Sequence, residues 1–355
     1  MSNRTIQTAV VGVTGYAGAE LARLLLHHPR LKDTPPAFAG RVDAKDAARG
    51  GVPLVEIHPE LAGTHSSHLV MQPFSWNLLA DLGVDVLFLA TPHEQSREWV
   101  PEALGRGMRV IDLSGAWRLT EAANRAVYSF TDEGSERAEE TQEQAVYGMP
   151  ELHRAEIAKA KLVANPGCYA TSVILALKPL VAAGLVDLEY GIVADAKSGV
   201  SGAGKAPTAK THFMYAADNL SAYGVFGHRH TGELLEQIGV STSEIVFTPH
   251  LLPIPRGILA TIYVHFKEPQ TRASVLDVYR RFFATSPMVR LHENGLPQIQ
   301  HSVRTSYADI GFQLDASGRR AVIVSCLDNL LKGASSQAVQ NMNVMQGWCE
   351  AEGLE

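Results

Sequence analysis

The segment 5–28 places the strongest constraint on what this 355-residue chain can fold into. Residues 5–13 form an apolar, β-rich stretch that predicts a buried strand, and residues 17–28 carry apolar side chains at helical spacing before Pro29. The turn between them has glycine at every third position: Gly12, Gly15 and Gly18. Such glycines let a backbone approach a pyrophosphate, and the free N–H groups at a helix start bind anions. The segment therefore predicts a dinucleotide-binding turn, with a plain tight turn as the alternative.

The residues expected to contact a dinucleotide come from this turn and from the next strand. The turn supplies Gly12, Thr14, Gly15, Tyr16, Ala17 and Gly18. The second predicted strand, 37–40, runs into Arg41, with Asp43 two residues later. An NAD site usually places an acid at this position, whereas an arginine there pairs with a 2′-phosphate. Arg41 therefore favours NADP, with a solvent-facing charge as the alternative interpretation.

The rest of the chain shows two different sequence patterns. Continuous apolar runs at 84–90 and 108–113, with a helical pattern at 94–105 between them, are typical of buried parallel strands in βαβ units. After a polar, acid-rich excursion at 124–144, a strand at 161–164 leads to a helix at 168–183 and then to a mixture of strands and helices. The expected class is α/β: a Rossmann-type, doubly wound parallel sheet plus a mixed α+β catalytic domain.

Composition excludes several classes of protein. The net charge of −6 argues against a nucleic-acid-binding protein, which would show a basic face. Three cysteines do not make a disulfide framework, and no apolar stretch approaches 18 uninterrupted residues. We therefore expect a cytoplasmic protein that binds neither nucleic acid nor membrane.

Cys168 is the strongest candidate for a reactive side chain. It follows Pro166-Gly167 at the predicted start of a helix, where the helix dipole favours the thiolate and nearby N–H groups can hold an oxyanion. A small buried cysteine is the alternative on position alone. Cys326, in an apolar strand, and Cys349, near the C-terminus, are interpreted as structural.

A cysteine nucleophile needs a group that moves protons, and the segment 227–230, Gly-His-Arg-His, offers two histidines. A zinc pair is the alternative, but no cysteine or acidic cluster at metal-ligand spacing accompanies them, so no metal is expected. Glycine- and serine-rich turns at 112–118, 198–205 and 332–335 follow predicted strands. Together they can surround a phosphorylated substrate and a nicotinamide, although each turn alone is a weak signal.

Nearly the whole chain resembles the N-acetyl-γ-glutamyl-phosphate reductase family. The resemblance is carried by segments in a fixed order: GVTGYAG at 12–18, ATPH at 90–93, IDLSGAWRL at 111–119, YGMPEL at 147–152, NPGCYAT at 165–171, SGVSGAGK at 198–205, HRH at 228–230, PHLLPIPRGI at 249–258 and NLLKGASSQAVQNMN at 329–343. The segment that contains Cys168 makes the resemblance specific.

The resemblance implies residue roles and a domain division. It implies an NADP-binding domain of residues 1–164 and 330–355, a catalytic and oligomerisation domain of residues 165–329, and a dimer or tetramer. Cys168 is implied as the nucleophile, with His230 favoured over His228 as the acid/base, although the sequence does not separate the two. Further cofactor contacts are expected from Thr91, Pro92, Ser198, Gly199 and Asn329. Contacts to a small acyl-phosphate substrate are expected from Ser114, Arg118, Asn165, Lys205 and Arg256, the last for a carboxylate or as an ordinary surface arginine.

Three rival functions stay open from sequence alone. The nearest is a sister reductase that acts on a carrier-protein-linked aminoadipyl phosphate in lysine synthesis. Another is an aspartate-semialdehyde dehydrogenase, although the PIPRGI segment has Arg-Gly where a Gly-His pair would be expected. The third is a redox-sensing nucleotide-binding module without turnover, which would explain the glycine turns but not the pairing of a cysteine with histidines.

Overall fold

The computed structural model describes residues 5–355, so residues 1–4 of the predicted first domain lie outside the described part. Its strands form two sheets, one of eight and one of seven strands. The strands of the first sheet are β1 Thr8–Val11, β2 Ala37–Gly40, β3 Val52–Pro53, β4 Val70–Pro73, β5 Val86–Leu89, β6 Arg109–Asp112, β7 Ala145–Tyr147 and β8 Leu162–Ala164. The strands of the second sheet are β9 Ile192–Gly199, β10 Ser221–Ala222, β11 Ile245–Leu252, β12 Ile258–His265, β13 Val289–Leu291, β14 Ala308–Leu314 and β15 Arg320–Leu327.

Helices connect and cover the strands. Those that accompany the first sheet are α1 Tyr16–His27, α2 Ala44–Ala48, α3 Leu54–Ile57, α4 Trp76–Asp81, α5 His93–Gly105, α6 Ala122–Arg125, α7 Glu136–Gln144 and α8 Pro150–Ile157. The later ones are α9 Cys168–Ala182, α10 Phe213–Ala216, α11 Thr231–Leu234, α12 Arg272–Phe282, α13 Ile299–Ser302 and α14 Ser336–Gln346. Two π-helical segments, Leu235–Gly239 and Leu331–Ser335, adjoin α11 and α14.

The first sheet has the order β3-β4-β2-β1-β5-β6-β8-β7, and its pairings are parallel except that of β3 with β4. The chain leaves β1 toward β2 on one side and returns to β5 on the other. Ligands of open α/β sheets bind where the strand order reverses in this way, beyond the carboxyl ends of the strands. The fold therefore places a ligand crevice beyond Val11 and Leu89, next to the glycine turn.

The second sheet has the order β10-β11-β9-β12-β15-β14-β13 and mixes parallel and antiparallel pairs. Its inner face packs against α9, which is buried on nearly every side, from Tyr169 to Leu180. A helix that is apolar all round requires partners on all sides, and α9 has them because it lies between the second sheet and the C-terminal π-helical segment. The opposite face of the sheet exposes Val193, Val246 and Tyr263.

The C-terminal helix α14 packs against α1 and α8, which belong to the first sheet. Its residues Ala338, Val339 and Met342 share a hydrophobic core with Val10 and Ile111. The predicted fold class, a Rossmann-type parallel sheet plus a mixed α+β unit, is confirmed. Within residues 5–355, no helix is both long enough and apolar enough to cross a membrane.

Candidate active site

The Pro166-Gly167 turn places Cys168 at the first position of α9. A side chain at Gly167 would collide with Nε2 of His230 and would approach Oε1 of Glu233 to 2.7 Å. The imidazole of His230 therefore lies directly against the residue that precedes Cys168. Glycine is required here because only a bare backbone leaves room for that ring.

Two cavities meet at this turn. A cleft of about 360 Å³ lies on the side of the glycine turn and contains Ser114, Lys205 and Asn329 in its wall. A larger cavity of about 670 Å³ lies mainly among residues 198–230, and Val127, Tyr169 and Leu251 also contribute to its wall. Four residues line both cavities: Cys168, Gly202, Arg229 and His230. Both cavities therefore border Cys168.

The backbone of the first cleft fits a dinucleotide. Gly12 has a φ of +99°, and a side chain there would collide with the carbonyl oxygen of Ala90 at the end of β5. The loops after β1 and β5 therefore approach as closely as two backbones allow, and α1 begins at Tyr16 with its N–H groups at the cleft. Bare backbone and a helix N-terminus are what a pyrophosphate needs.

Most of the predicted cofactor residues line this cleft: Gly15, Tyr16, Ala17, Gly18, Thr91, Pro92 and Asn329. Ser198 lines the larger cavity instead. Gly12, Thr14 and Gly199 line neither cavity; Thr14 contributes its carbonyl oxygen, which accepts a hydrogen bond from Nζ of Lys205 at 3.0 Å. The amide of Asn329 is engaged within the protein, since its Oδ1 accepts from the Gly257 N–H at 2.8 Å and its Nδ2 donates to Ser201 Oγ at 2.9 Å.

Arg41 is exposed and directly follows β2, outside the residues that line the cleft. This is the position that the sequence predicts for it. The structure brings it to the same edge of the sheet as the glycine turn, because β2 pairs in parallel with β1.

At Cys168, burial opposes the preference for the thiolate that the helix start provides. Burial raises the pKa of the thiol to about 11; the N–H of Tyr169 and the charges of Arg118 and Arg229 lower it, but by less. Desolvation disfavours the charged form, and here it outweighs the helix N-terminus. The protonated thiol is therefore the form that predominates at neutral pH.

We therefore expect the rate of Cys168 alkylation by iodoacetamide to rise about tenfold per pH unit between pH 7 and pH 10. The sign follows from the raised pKa: the thiol stays protonated below about pH 11, so each unit of pH multiplies the thiolate fraction. Mass spectrometry of the Cys168 peptide measures the rate, with the exposed Cys349 as internal comparison. A rate that levels off near pH 7 would contradict this account.

Both histidines are held neutral. Burial, and then the charge of Arg229, lowers the pKa of His228 to about 4. Burial lowers the pKa of His230 well below its ordinary value, and the neighbouring charges act in the same direction. Nδ1 of His228 accepts the backbone N–H of His230 at 3.1 Å, which puts the His228 proton on Nε2. Nδ1 of His230 is buried and has no hydrogen-bond partner among residues 5–355.

Glu233 holds the site together, and sequence reasoning did not assign it a role. Its carboxylate is fully buried and accepts hydrogen bonds from the Gly167 N–H at 2.9 Å, the Tyr147 hydroxyl at 2.6 Å and Arg118 at 3.2 Å. Its spacing from His230 was the available signal, because residues three apart share one helix face. The Gly167 N–H is consequently not available to an oxyanion, which leaves the N–H groups that follow it in α9.

Three predicted substrate contacts have side chains that are engaged within the protein. Asn165 is fully buried, lines neither cavity and uses its side chain on Ala334 O at 2.9 Å and Asn341 at 3.1 Å. Arg256 lines neither cavity, because it forms ion pairs with Glu20 and Asp328. Arg118 lines the cleft, but its guanidinium is held by Glu233, Asn165 O and Leu113 O. Internal hydrogen bonds, invisible in the sequence, occupy these three side chains.

Ser114 and Lys205 do lie in the wall of the cleft. The hydroxyl of Ser114 donates to Asp112 Oδ2 at 2.7 Å, which fixes its orientation at the end of β6. Within residues 5–355, no group of three or more histidine, cysteine or acidic side chains is placed to hold a metal ion. The described site combines a thiol, two neutral imidazoles, cations and the buried carboxylate of Glu233.

Comparison with known proteins matches most of the chain to semialdehyde dehydrogenase domains. Residues 7–160 match the family described as "Semialdehyde dehydrogenase, NAD binding domain", and residues 168–329 match "Semialdehyde dehydrogenase, dimerisation domain". The chain therefore carries a nicotinamide-binding domain. Solved structures with the same fold include aspartate semialdehyde dehydrogenase II of Vibrio cholerae, with a TM-score of 0.69 at 18% identity over 97% of this chain and 99% of that one. The enzyme of Candida albicans, solved with NADP, has a TM-score of 0.68 at 15% identity over the same shares.

Sequence relatives are closer and span both chains almost completely. The N-acetyl-gamma-glutamyl-phosphate reductase of Desulfotalea psychrophila is 42% identical over 99% of this chain and 98% of the relative. The reductases of that name from Shouchella clausii and Methanococcus maripaludis are 39% and 40% identical, over 99% and 98% of this chain and 98% and 97% of theirs. These names do not favour the lysine-pathway alternative. The chain belongs to the N-acetyl-gamma-glutamyl-phosphate reductase family of the semialdehyde dehydrogenases.

Proposed function

We propose that this protein reduces N-acetyl-γ-glutamyl phosphate to N-acetylglutamate semialdehyde with NADPH, releasing phosphate, through a thioester on Cys168. The observation that carries the proposal is the position of Cys168 and His230. Both residues lie where the dinucleotide cleft meets the larger cavity, and the His230 ring packs on the residue before Cys168. Family membership supplies the substrate.

In the first half of the proposed reaction, the neutral imidazole of His230 takes the proton of the Cys168 thiol as the acyl phosphate arrives. The sulfur then attacks the acyl carbon. The bond between that carbon and the phosphate oxygen breaks, and a thioester remains. N–H groups of the first turn of α9 beyond Gly167 stabilise the oxyanion. Lys205 assists the departing phosphate, which carries away the proton from His230. Ser114 lies in the same cleft wall with its hydroxyl donated to Asp112, and Arg118 contributes a fixed charge.

In the second half, the chain presents the thioester carbon to the nicotinamide cleft. When bound there, NADPH supplies a hydride to that carbon. The resulting alkoxide collapses, the carbon–sulfur bond breaks, and the aldehyde leaves. His230 relays a solvent proton back to the thiolate and restores the starting state. A covalent step divides one difficult reduction into two easier ones.

The proposed preference for NADP rests on Arg41. Replacing Arg41 with alanine should lower the ratio of kcat/KM for NADPH to that for NADH by about 10- to 100-fold, since a charge-assisted hydrogen bond contributes about 1.5–3 kcal/mol. Initial rates with the two cofactors measure the ratio. The exposed Arg281, which pairs with Asp277, provides a matched control substitution. An unchanged preference in the Arg41 variant would remove that residue from the 2′-phosphate site.

Three broader features belong to the same proposal. The chain is proposed to divide into residues 1–164 with 330–355 and residues 165–329, because α14 packs with the helices of the first sheet. It is proposed to form a dimer or tetramer, since residues 168–329 match a dimerisation domain and one face of the second sheet exposes Val193, Val246 and Tyr263. Free, sparse cysteines favour a cytoplasmic location.

The reaction run in reverse tests the function directly. Purified protein mixed with N-acetylglutamate semialdehyde, NADP and phosphate should form NADPH, followed by absorbance, at a rate that depends on phosphate. No phosphate-dependent formation of NADPH would overturn the proposal. Oxidation restricted to a carrier-linked aldehyde would favour the lysine-pathway alternative.

A further inference from the structure

Arg229 differs from the other arginines that surround the site. Arg118 is paired with Glu233 at 3.2 Å, and Arg256 is paired with Glu20 and Asp328. Arg229 is exposed and forms no hydrogen bond or ion pair with any residue between 5 and 355. Its charge is therefore uncompensated within the described protein.

The larger cavity, to which Arg229 contributes, has the charge and the apolar wall expected of a site that binds an organic anion. No aspartate or glutamate lies among the residues that line it, whereas Arg229 and Lys210 do. Much of the remaining wall is aromatic or aliphatic and includes Tyr169, Tyr223 and Leu251. A concave, largely apolar site with one sign of charge concentrates ligands of the opposite sign.

Arg229 is also close to the reacting sulfur. It lines both cavities, together with Cys168 and His230, whereas Lys210 lines only the larger one. The charge of Arg229 lowers the pKa of Cys168, which burial raises. It also lowers the pKa of His228, in the same direction as burial. A ligand group held by Arg229 would therefore lie a short chain length from the carbon that Cys168 attacks.

We propose that Arg229 binds the α-carboxylate of the substrate and places the substrate's acetylamino acid body in the larger cavity. This inference rests on the proposed function. The planar guanidinium matches a carboxylate in a two-point contact, which an ammonium group does not. The phosphate, in contrast, faces the cleft that contains Ser114 and Lys205. Arg229 thereby takes the role that sequence reasoning gave to Arg256.

The test compares two aldehydes in the reverse reaction: N-acetylglutamate semialdehyde and N-acetyl-4-aminobutanal, which is identical except that hydrogen replaces the carboxylate. Arg229→Gln should raise the KM for the semialdehyde about 10- to 100-fold. It should leave the KM for inorganic phosphate within about twofold of wild type. Loss of the charge near Cys168 also affects the decarboxylated aldehyde, so its kcat/KM should fall, but at least about tenfold less than kcat/KM for the semialdehyde. Arg229→Lys should recover part of the loss. Arg281→Gln is the matched control on a distant surface.

The possible outcomes separate the two proposals. An equal loss on both aldehydes, or a rise confined to the KM for phosphate, overturns the carboxylate assignment. A carboxylate-dependent loss in Lys210→Gln instead of Arg229→Gln also overturns it. If the wild-type protein does not oxidise the semialdehyde at all, the proposed function itself fails, and this inference fails with it.

Discussion

Replacing Cys168 with serine is expected to lower kcat for reduction of the acyl phosphate at least about 10⁴-fold. The pKa of the buried thiol is already raised to about 11, and a hydroxyl in the same place is far harder to ionise. Serine is similar in size, so the start of α9 and the two cavities should persist. Steady-state rates with NADPH measure the loss, and quenching of protein fluorescence measures cofactor binding, which we expect to be unchanged.

The matched control is Cys349→Ser, because this thiol is exposed and lies outside both cavities. It should retain wild-type kcat and KM. A Cys168→Ser protein that still reduced the acyl phosphate within about tenfold of the wild-type rate would exclude covalent catalysis. A loss of cofactor binding in parallel would instead indicate that the serine disturbs the fold.

Replacing His230 with asparagine is expected to lower kcat about 10²- to 10⁴-fold, the range typical of a general acid or base. In this structure the thiol is protonated at neutral pH and the imidazole is neutral, so the ring is the available acceptor for the thiol proton. Because the pKa of His230 is well below its ordinary value, wild-type kcat should not fall through protonation of this ring between pH 7.5 and pH 6. Initial rates across that range measure both expectations.

His228→Asn is the comparison that separates the two histidines. The Nδ1 of His228 already accepts the backbone N–H of His230, so we expect this variant to lose less activity, with the loss in KM as well as kcat. Should His228→Asn cost more in kcat than His230→Asn, and should only His228 control the pH profile, the acid/base role would pass to His228.

Local patterns predicted most of the framework. The second strand lies at Ala37–Gly40, as its sequence indicates, and the helix that begins at Cys168 follows directly from the Pro-Gly turn and the apolar run after it. These elements are decided by hydrophobic periodicity and turn chemistry, which a single sequence contains. The dinucleotide cleft was equally accessible, since a glycine turn between a strand and a helix has a fixed place at the edge of a parallel sheet.

Features that depend on contacts between residues far apart in the sequence could not be predicted from local patterns. Arg256 forms ion pairs with Glu20 and Asp328, which are 236 and 72 positions away in sequence. Glu233 receives hydrogen bonds from Arg118, Tyr147 and Gly167, none of them on its own helix. A pattern can show that a residue is polar or charged, but only tertiary contacts decide whether its hydrogen bonds are already made.

The ionisation of Cys168 shows the same limit in electrostatic form. Its position at a helix start favours the thiolate, and that part of the reasoning is physically sound. The outcome is decided by burial beneath the two cavities, which raises the pKa more than the N-terminal N–H groups and two arginines lower it. Burial is a property of the folded chain, so the sign of the net shift could not be read from the segment around Cys168.

An acyl group caught on the Cys168 sulfur would test the central claim most directly. Enzyme mixed with N-acetylglutamate semialdehyde and NADP, without phosphate, cannot release the acyl group by phosphorolysis, so the thioester should accumulate. After an acid quench, we expect about one equivalent of NADPH per active site and an N-acetylglutamyl group on the peptide that contains Cys168. Formation of NADPH with an unmodified Cys168, or with the acyl group on another residue, would contradict the account.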